Sequence, residues 1–256
     1  VIILDAYCGE GGAGEGFRRA GFDVVGIDLN DDWSNRRTRA RPKPLKRYPF
    51  PHIEGDAIAI LTHLADGGSV MASDGREYSL SDFVAIHASP PCQLYSEITR
   101  VFDRRGDGFE HPDLVGPTRD ALERIGLPYI IENVEGAPLR PGAVLLCGSM
   151  FDPPLDVRRH RLFETNWPLG HPVWGCRHKL WAPRYRSADY RGRKSGRLMS
   201  VVPVYGGTRY PGDVILRRRV MEMPWATNQG CVEAIPPRYT EWIGQQLQAH
   251  LLEAAA

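Results

Sequence analysis

The sequence predicts an α/β fold in which a parallel sheet is wrapped by helices. Short apolar strands alternate with helical patterns through the N-terminal half. A glycine-rich turn follows the first strand and opens the first helix. A basic, aromatic stretch then breaks the rhythm before a last helical segment restores it.

In order, Val1 to Asp5 reads as a strand, Gly12 to Ala20 as a helix and Asp23 to Asp28 as a second strand. A third candidate strand ends near Asp56, and Ala57 to Ala65 is helical. Phe83 to His87 is a strand, Pro117 to Ile125 a helix and Tyr129 to Asn133 another strand. Val144 to Leu146 and Arg161 to Glu164 add two more. From Asn166 to Asp213 the chain is rich in Arg, Gly, Pro and aromatics and has no clear helical period, so it reads as a small, irregular or β-rich module. Pro236 to Leu252 regains the helical period, with Pro236-Pro237 at its start, where missing donors cost little. The two domains expected are residues 1–165 with 214–256, and an inserted module of residues 166–213.

At 256 residues the chain has room for one large domain with a small insert, and 42% hydrophobic content supports a packed core. No apolar run approaches the roughly 18 to 20 residues of a membrane span, and no secretory pattern is seen, so no membrane partner is expected. Five cysteines at scattered spacing give no disulfide framework, which makes a reducing cytoplasm the simplest compartment. The net charge of +1 hides an asymmetry. Between Asn166 and Val220 twelve Arg and Lys face only Asp189 and Asp213, so that stretch is near +10 and the remainder near −9. Such a patch suits a polyanion, although a solvated basic face has the same composition. A second basic stretch, Arg36 to Arg47, carries Pro42 and Pro44 and reads as a surface loop.

Leu4 to Gly12 runs from a strand through a glycine turn into a helix N-terminus, where backbone N–H groups approach a ligand closely. Asp28 ends the next strand, where a carboxylate can accept from ribose hydroxyls; Asp56 is similarly placed for an adenine amino group. Both also suit helix caps. The phosphate fingerprint is not matched cleanly, which favours an adenosine-type cofactor without pyrophosphate.

His87-Ala88-Ser89-Pro90-Pro91-Cys92-Gln93 follows a strand directly, which puts a cysteine on a rigid turn where open α/β sheets carry their chemistry. Ile130-Ile131-Glu132-Asn133-Val134 brings a carboxylate to the same edge. A thiolate and a carboxylic acid suit attack on an electron-poor pyrimidine: the thiolate adds to carbon 6 while the acid serves N3, and carbon 5 becomes nucleophilic towards a sulfonium methyl.

With these motifs in this order, the sequence resembles the DNA cytosine-C5 methyltransferases, especially their compact bacteriophage-type members. The resemblance covers most of the chain outside the basic module. It implies a Rossmann-like S-adenosylmethionine-dependent methyltransferase sheet with a small inserted target-recognition module. It implies Cys92 as nucleophile, Glu132 as acid, Arg161 holding a flipped base and Arg159 supporting the site. Cofactor contacts implied are Tyr7 (where a Phe usually stacks on adenine), Cys8, Gly9, Glu10, Gly12, Asp28, Leu29, Asp56, Ala57, Pro91, Glu233 and Ala234. The cofactor is S-adenosyl-L-methionine and its product S-adenosyl-L-homocysteine. The partner implied is double-stranded DNA, met by Gln93, Ser96, Arg191, Arg193, Lys194 and Arg197. The enzyme is expected to act as a monomer in a bacterial or phage-infected cytoplasm. Two departures stand out. Val157 replaces a usual Gln ahead of Arg159-His160-Arg161, and Glu233 replaces a usual Asn.

His171, Cys176 and His178 lie close in sequence, but three ligands at this spacing match no common zinc pattern, so no metal is expected. The rival readings are a tRNA cytosine-C5 methyltransferase with the same Cys and Glu chemistry, a mononucleotide pyrimidine enzyme, a silent DNA-binding protein, and transfer of a modified methyl group to DNA. The basic module argues against the mononucleotide, and the filled catalytic positions argue against silence.

Overall fold

Ile3 and Leu4, like Ile130 and Ile131, point to opposite faces of a sheet and are fully buried, as strands covered on both faces require. The computed structural model describes residues 1–29, 44–96, 111–178, 185–188, 194–199, 201, 202, 204 and 214–254, with 44, 46, 185–188 and 194–199 as backbone. Its strands are β1 (Ile2–Ala6), β2 (Asp23–Asp28), β3 (His52–Glu54), β4 (Ser69–Met71), β5 (Glu77–Ser79), β6 (Phe83–Ala88), β7 (Tyr129–Asn133), β8 (Val144–Leu146), β9 (Arg161–Thr165), β10 (Tyr185–Ala188) and β11 (Lys194–Met199). Helices are α1 (Gly12–Arg19), α2 (Ala57–Ala65), α3 (Val115–Ile125), α4 (Val214–Val220), α5 (Asn228–Glu233) and α6 (Pro237–Ala254).

Seven strands form one sheet in the order β3-β2-β1-β6-β7-β9-β8. The first five are mutually parallel, and β9 runs antiparallel to both β7 and β8. On one face α1 and α6 cover Ile3, Val24 and Ile130 through Phe17, Tyr239, Ile243 and Leu247. Thr240 Oγ1 donates to the Ala13 carbonyl at 2.8 Å and fixes α6 against α1. On the other face α2 and α3 cover Leu4, Ile27, Ile86 and Ile131 through Leu61, Leu64 and Leu122. The strand order reverses between β1 and β6, which opens a crevice beyond their C-terminal ends.

The elements predicted from the sequence are present within a few residues. The hairpin β4–β5 and the short helices α4 and α5 are additions. β10 and β11 pair antiparallel within the basic stretch, which is therefore partly β. Trp167, Val202 and Val204 of that stretch are buried in the α1/α6 core and anchor it there. No described helix is long and apolar enough to cross a membrane.

Candidate active site

The crevice is walled on the β1 side by a turn whose backbone leaves ordinary space: Tyr7 has φ 60°, Gly9 54° and Gly11 86°. A non-glycine residue at φ 60° is uncommon. Tyr7 is steadied by a hydrogen bond between its hydroxyl and Thr118 Oγ1 at 2.7 Å, and burial pushes its pKa up to about 12. Gly9 donates its N–H to Asp28 Oδ2 at 2.7 Å. A Cβ added at Gly9 would meet nothing within 4 Å, so open space lies against this backbone. Burial raises the Asp28 carboxyl to about 6, against the pull of hydrogen bonds from Gly9 and Leu29. An under-solvated carboxylate beside open space at a helix N-terminus fits the hydroxyls of an adenosine cofactor.

The neighbouring positions divide by role. Asp56 caps α2, accepting from Ala59 N at 2.8 Å, and is exposed; Ala57 behind it is buried. Cys8 is buried, with its thiol pushed well up by burial. Glu10 is buried, and its carboxylate accepts from Thr227 N at 2.6 Å and Thr227 Oγ1 at 2.5 Å. Glu10 is expected from the resemblance to contact the cofactor, and its carboxylate oxygens fasten the turn to the start of α5. A Cβ at Gly12 would lie 2.4 Å from the Ile235 carbonyl, so only glycine lets the segment after α5 approach the turn. Glu233 is exposed near Asp28, whose pKa it helps to raise, and Ala234 is half-buried beside it.

Across the crevice, Pro90, Pro91 and Cys92 continue from β6. Cys92 O accepts from Tyr95 N at 3.1 Å and Ser96 N at 3.0 Å, closing a tight turn. Pro91, Cys92, Gln93 and Ser96 are half-buried, and Gln93 Oε1 is buried without a hydrogen-bond partner among the described residues. Asn133 Nδ2 donates to Pro90 O at 2.9 Å and ties this turn to the end of β7. Glu132 on β7 is 6% exposed, and its Oε1 lies 2.7 Å from Arg161 Nε. That N–H is not aligned with the oxygen, which keeps no hydrogen-bond partner among the described residues. Burial raises the Glu132 carboxyl against the opposing pull of Arg161, His87 and Arg159. Burial likewise raises the Cys92 thiol, with Glu132 adding to it and the two arginines opposing it. Such a thiol is the resting form.

The arginines differ. Arg161 Nη1 donates to His160 O at 2.7 Å and its Nε faces Glu132. Arg159 is 5% exposed and donates to Val204 O at 2.8 Å and Val232 O at 2.6 Å, so it positions the site by clamping two distant segments. Burial, with Arg161 alongside, lowers its pKa. Val157 is a buried core residue. Beneath the site His87 Nδ1 and Asp5 Oδ1 are 2.7 Å apart and fully buried, a pair to which the sequence reading gave no role.

Of the expected DNA contacts, Arg191 and Arg193 lie outside the described residues, and Lys194 and Arg197 lie on β11. His171 is exposed and takes no part in the side-chain cluster that holds Cys176 and His178. The fold instead adds Cys147 and His160 to those two, which sequence spacing alone did not reveal.

No protein-family model matches the chain, and no curated protein matches it. Among solved structures, a protein described as a DNA modification methyltransferase encoded within an E. coli prophage is 12% identical. The match covers 98% of this chain and 99% of that one, with a TM-score of 0.55. The Entamoeba histolytica methyltransferase EhMeth is 11% identical over 98% of both chains, TM-score 0.50. The S. pombe Dnmt2 methyltransferase is 10% identical over 98% of this chain and 99% of its own, TM-score 0.50. The mostly parallel sheet is thus the Rossmann-like methyltransferase fold of these neighbours.

Proposed function

We propose that this chain is a DNA (cytosine-5-)-methyltransferase that uses S-adenosyl-L-methionine and a covalent Cys92 adduct at carbon 6 of cytosine. The observation that carries the reading is the fastening of two loops into one unit. Asn133 bonds to Pro90, so the Cys92 turn and the Glu132 strand end form one wall of the crevice, with Arg161 against Glu132. The prophage-encoded neighbour described as a DNA modification methyltransferase fits the same reading.

On the cofactor side, Asp28 and Leu29 would hold the ribose, Tyr7, Asp56 and Ala57 the adenine, and the Gly9–Gly12 turn the remainder. The cofactor supplies an electrophilic methyl group. The chain's own residues do the rest. Cys92, having lost its proton, bonds to carbon 6 while Glu132 gives a hydrogen bond or proton to N3. Electron density moves to carbon 5, which takes the methyl group. Loss of the carbon 5 proton then restores the ring double bond and releases the Cys92 thiolate. Arg161 holds the base edge, and Arg159 holds the arginine segment in place. Cytosine must leave the duplex stack to reach Cys92. Residues 166–213, with their positive charge, supply the phosphate contacts of a target-recognition module inserted between 1–165 and 214–256.

The test is transfer of a labelled methyl group to duplex DNA and, in parallel, to tRNA, followed by mass spectrometry of the nucleosides. 5-Methylcytosine in DNA supports the reading. Label confined to RNA overturns the substrate, and label in neither overturns the activity.

A further inference from the structure

We propose that Cys147, His160, Cys176 and His178 form a structural zinc site that locks the active-site arginine segment to the root of the basic stretch. The site stands apart from the methyl-transfer reading and does not depend on it.

The fold, not the spacing, assembles these residues. β8 and β9 are antiparallel with Leu146 opposite Arg161, and Cys147 and His160 are the next residues beyond that pair, which brings them to the same end of the two strands. Arg177 carries the other two. Its N–H donates to Ser149 Oγ at 2.9 Å, and its guanidinium donates to Ser149 O and Phe151 O, both at 3.2 Å. This pins residues 176 and 178 over the turn that follows β8.

The four ligand atoms all lie within 4.8 Å of one another. His178 Nε2 is 3.3 Å from Cys147 Sγ, 3.2 Å from His160 Nε2 and 3.1 Å from Cys176 Sγ. His160 Nε2 is 3.2 Å from Cys176 Sγ. An imidazole nitrogen has either one N–H or one lone pair, so it can satisfy one of these three neighbours and not all. A cation at the centre satisfies all four ligand atoms together. Tetrahedral zinc, with Zn–S of about 2.3 Å and Zn–N of about 2.0–2.1 Å, sets its ligand atoms roughly 3.3–3.8 Å apart, against 3.1–3.3 Å for the four pairs above and at most 4.8 Å for any pair. Two thiolates and two imidazoles are a donor set suited to zinc.

The surroundings fit ligation. Glu135 Oε2 accepts from His160 Nδ1 at 2.9 Å, which turns the lone pair of Nε2 inward. Ser149 Oγ lies 3.4 Å from Cys147 Sγ and 3.8 Å from Cys176 Sγ and can donate its one proton to either, the kind of contact that steadies a thiolate. With four protein ligands no position is left for water, so the site is structural. Its consequence falls on His160, which sits between Arg159 and Arg161: the metal fixes the backbone from which both arginines depart.

The experiment is elemental analysis of the full chain, purified without a metal-affinity step, with cobalt substitution alongside. Zinc at one equivalent per chain is expected, and cobalt should give tetrahedral d–d bands with thiolate charge transfer. Cys147→Ser and His178→Ala should lose the metal, whereas Cys92→Ser should keep it. A variant that fails to fold would also lose the metal, so Glu135→Ala, on an exposed side chain, gives a second measure. It should weaken zinc about 10–100-fold in competition with a chelator while still filling at saturation. Wild-type chain without stoichiometric zinc, a cobalt spectrum lacking thiolate bands, or a Cys147–Cys176 disulfide seen by intact mass would each overturn the proposal.

Discussion

The side-chain amide of Asn133 reaches across from the end of β7 and donates to the carbonyl of Pro90 at 2.9 Å, and both groups are buried. One hydrogen bond therefore sets the position of the Cys92 turn relative to the strand that carries Glu132. Asn133→Ala leaves the Pro90 carbonyl buried and unpaired, at a cost of about 1–3 kcal/mol. The expected outcome is a lower Tm and a reduced kcat with unchanged S-adenosylhomocysteine affinity. A methylation rate equal to wild type would mean that the turn is held by other contacts.

Asp28 should make cofactor binding pH-dependent. Its folded pKa of about 6 lies above the ordinary 3.8, so the folded, ligand-free protein disfavours the ionised form. Asp28 therefore subtracts stability as pH rises through that window, the reverse of a salt-bridged carboxylate. Ribose hydroxyls donate to the ionised form and offset this, so calorimetric affinity for S-adenosylhomocysteine should rise from about pH 5 to about pH 7.5. Asp28→Asn should flatten that rise, and Asp28→Ala should weaken binding by at most two charge-assisted hydrogen bonds of about 1.5–3 kcal/mol each. Unchanged affinity in both variants would remove Asp28 from the cofactor site.

Glu10 should act at one remove. Glu10→Gln replaces an acceptor facing the Thr227 N–H and hydroxyl with a group that includes a donor, freeing α5 and the segment that packs on Gly12. A fall of about 1–3 kcal/mol in stability should accompany weaker cofactor binding. Weaker binding at an unaltered Tm would instead indicate direct contact with the cofactor.

The parts of this fold that are readable in sequence are those where one physical rule decides. β1, β2, β6 and β7 are buried on both faces and read as apolar runs, and the Pro90-Pro91-Cys92 and Glu132-Asn133 motifs sit at their ends. The hairpin β4–β5 has three residues per strand, too few to show a period. α4 and α5 are similarly short. Glu10 sits in a cofactor-type loop, and its partner Thr227 is far away in sequence, so its fastening role needs the tertiary contact. The Cys and His cluster hides for the same reason: Cys147 and His160 come together where β8 and β9 pair, whereas sequence proximity groups His171 with Cys176 and His178.

The positive charge of residues 166–213 should be visible as salt dependence. Replacing Arg191, Arg193 and Lys194 together with Ala should weaken DNA binding and flatten the slope of log affinity against log salt by up to about 0.9 per lost phosphate contact. Cofactor affinity should hold. An unaltered slope would place those side chains away from the phosphates.

The chemistry itself can be stopped midway. If Cys92 bonds to carbon 6, release requires removal of the carbon 5 proton. A duplex carrying 5-fluorocytosine at the target has none, so the methylated adduct should persist and survive denaturing electrophoresis. Its formation should require S-adenosylmethionine and vanish in Cys92→Ser, whose hydroxyl is a far poorer nucleophile at neutral pH. Glu132→Gln should form it about 10²–10⁴-fold more slowly, because an amide supplies no acid proton to N3. Burial holds the Cys92 thiol protonated in the resting protein, so the adduct should also form faster as pH rises. Random duplexes substituted throughout with the fluorinated base remove the need to know the target sequence. An adduct that persists in Cys92→Ser, or efficient methylation by that variant, would remove Cys92 from the reaction.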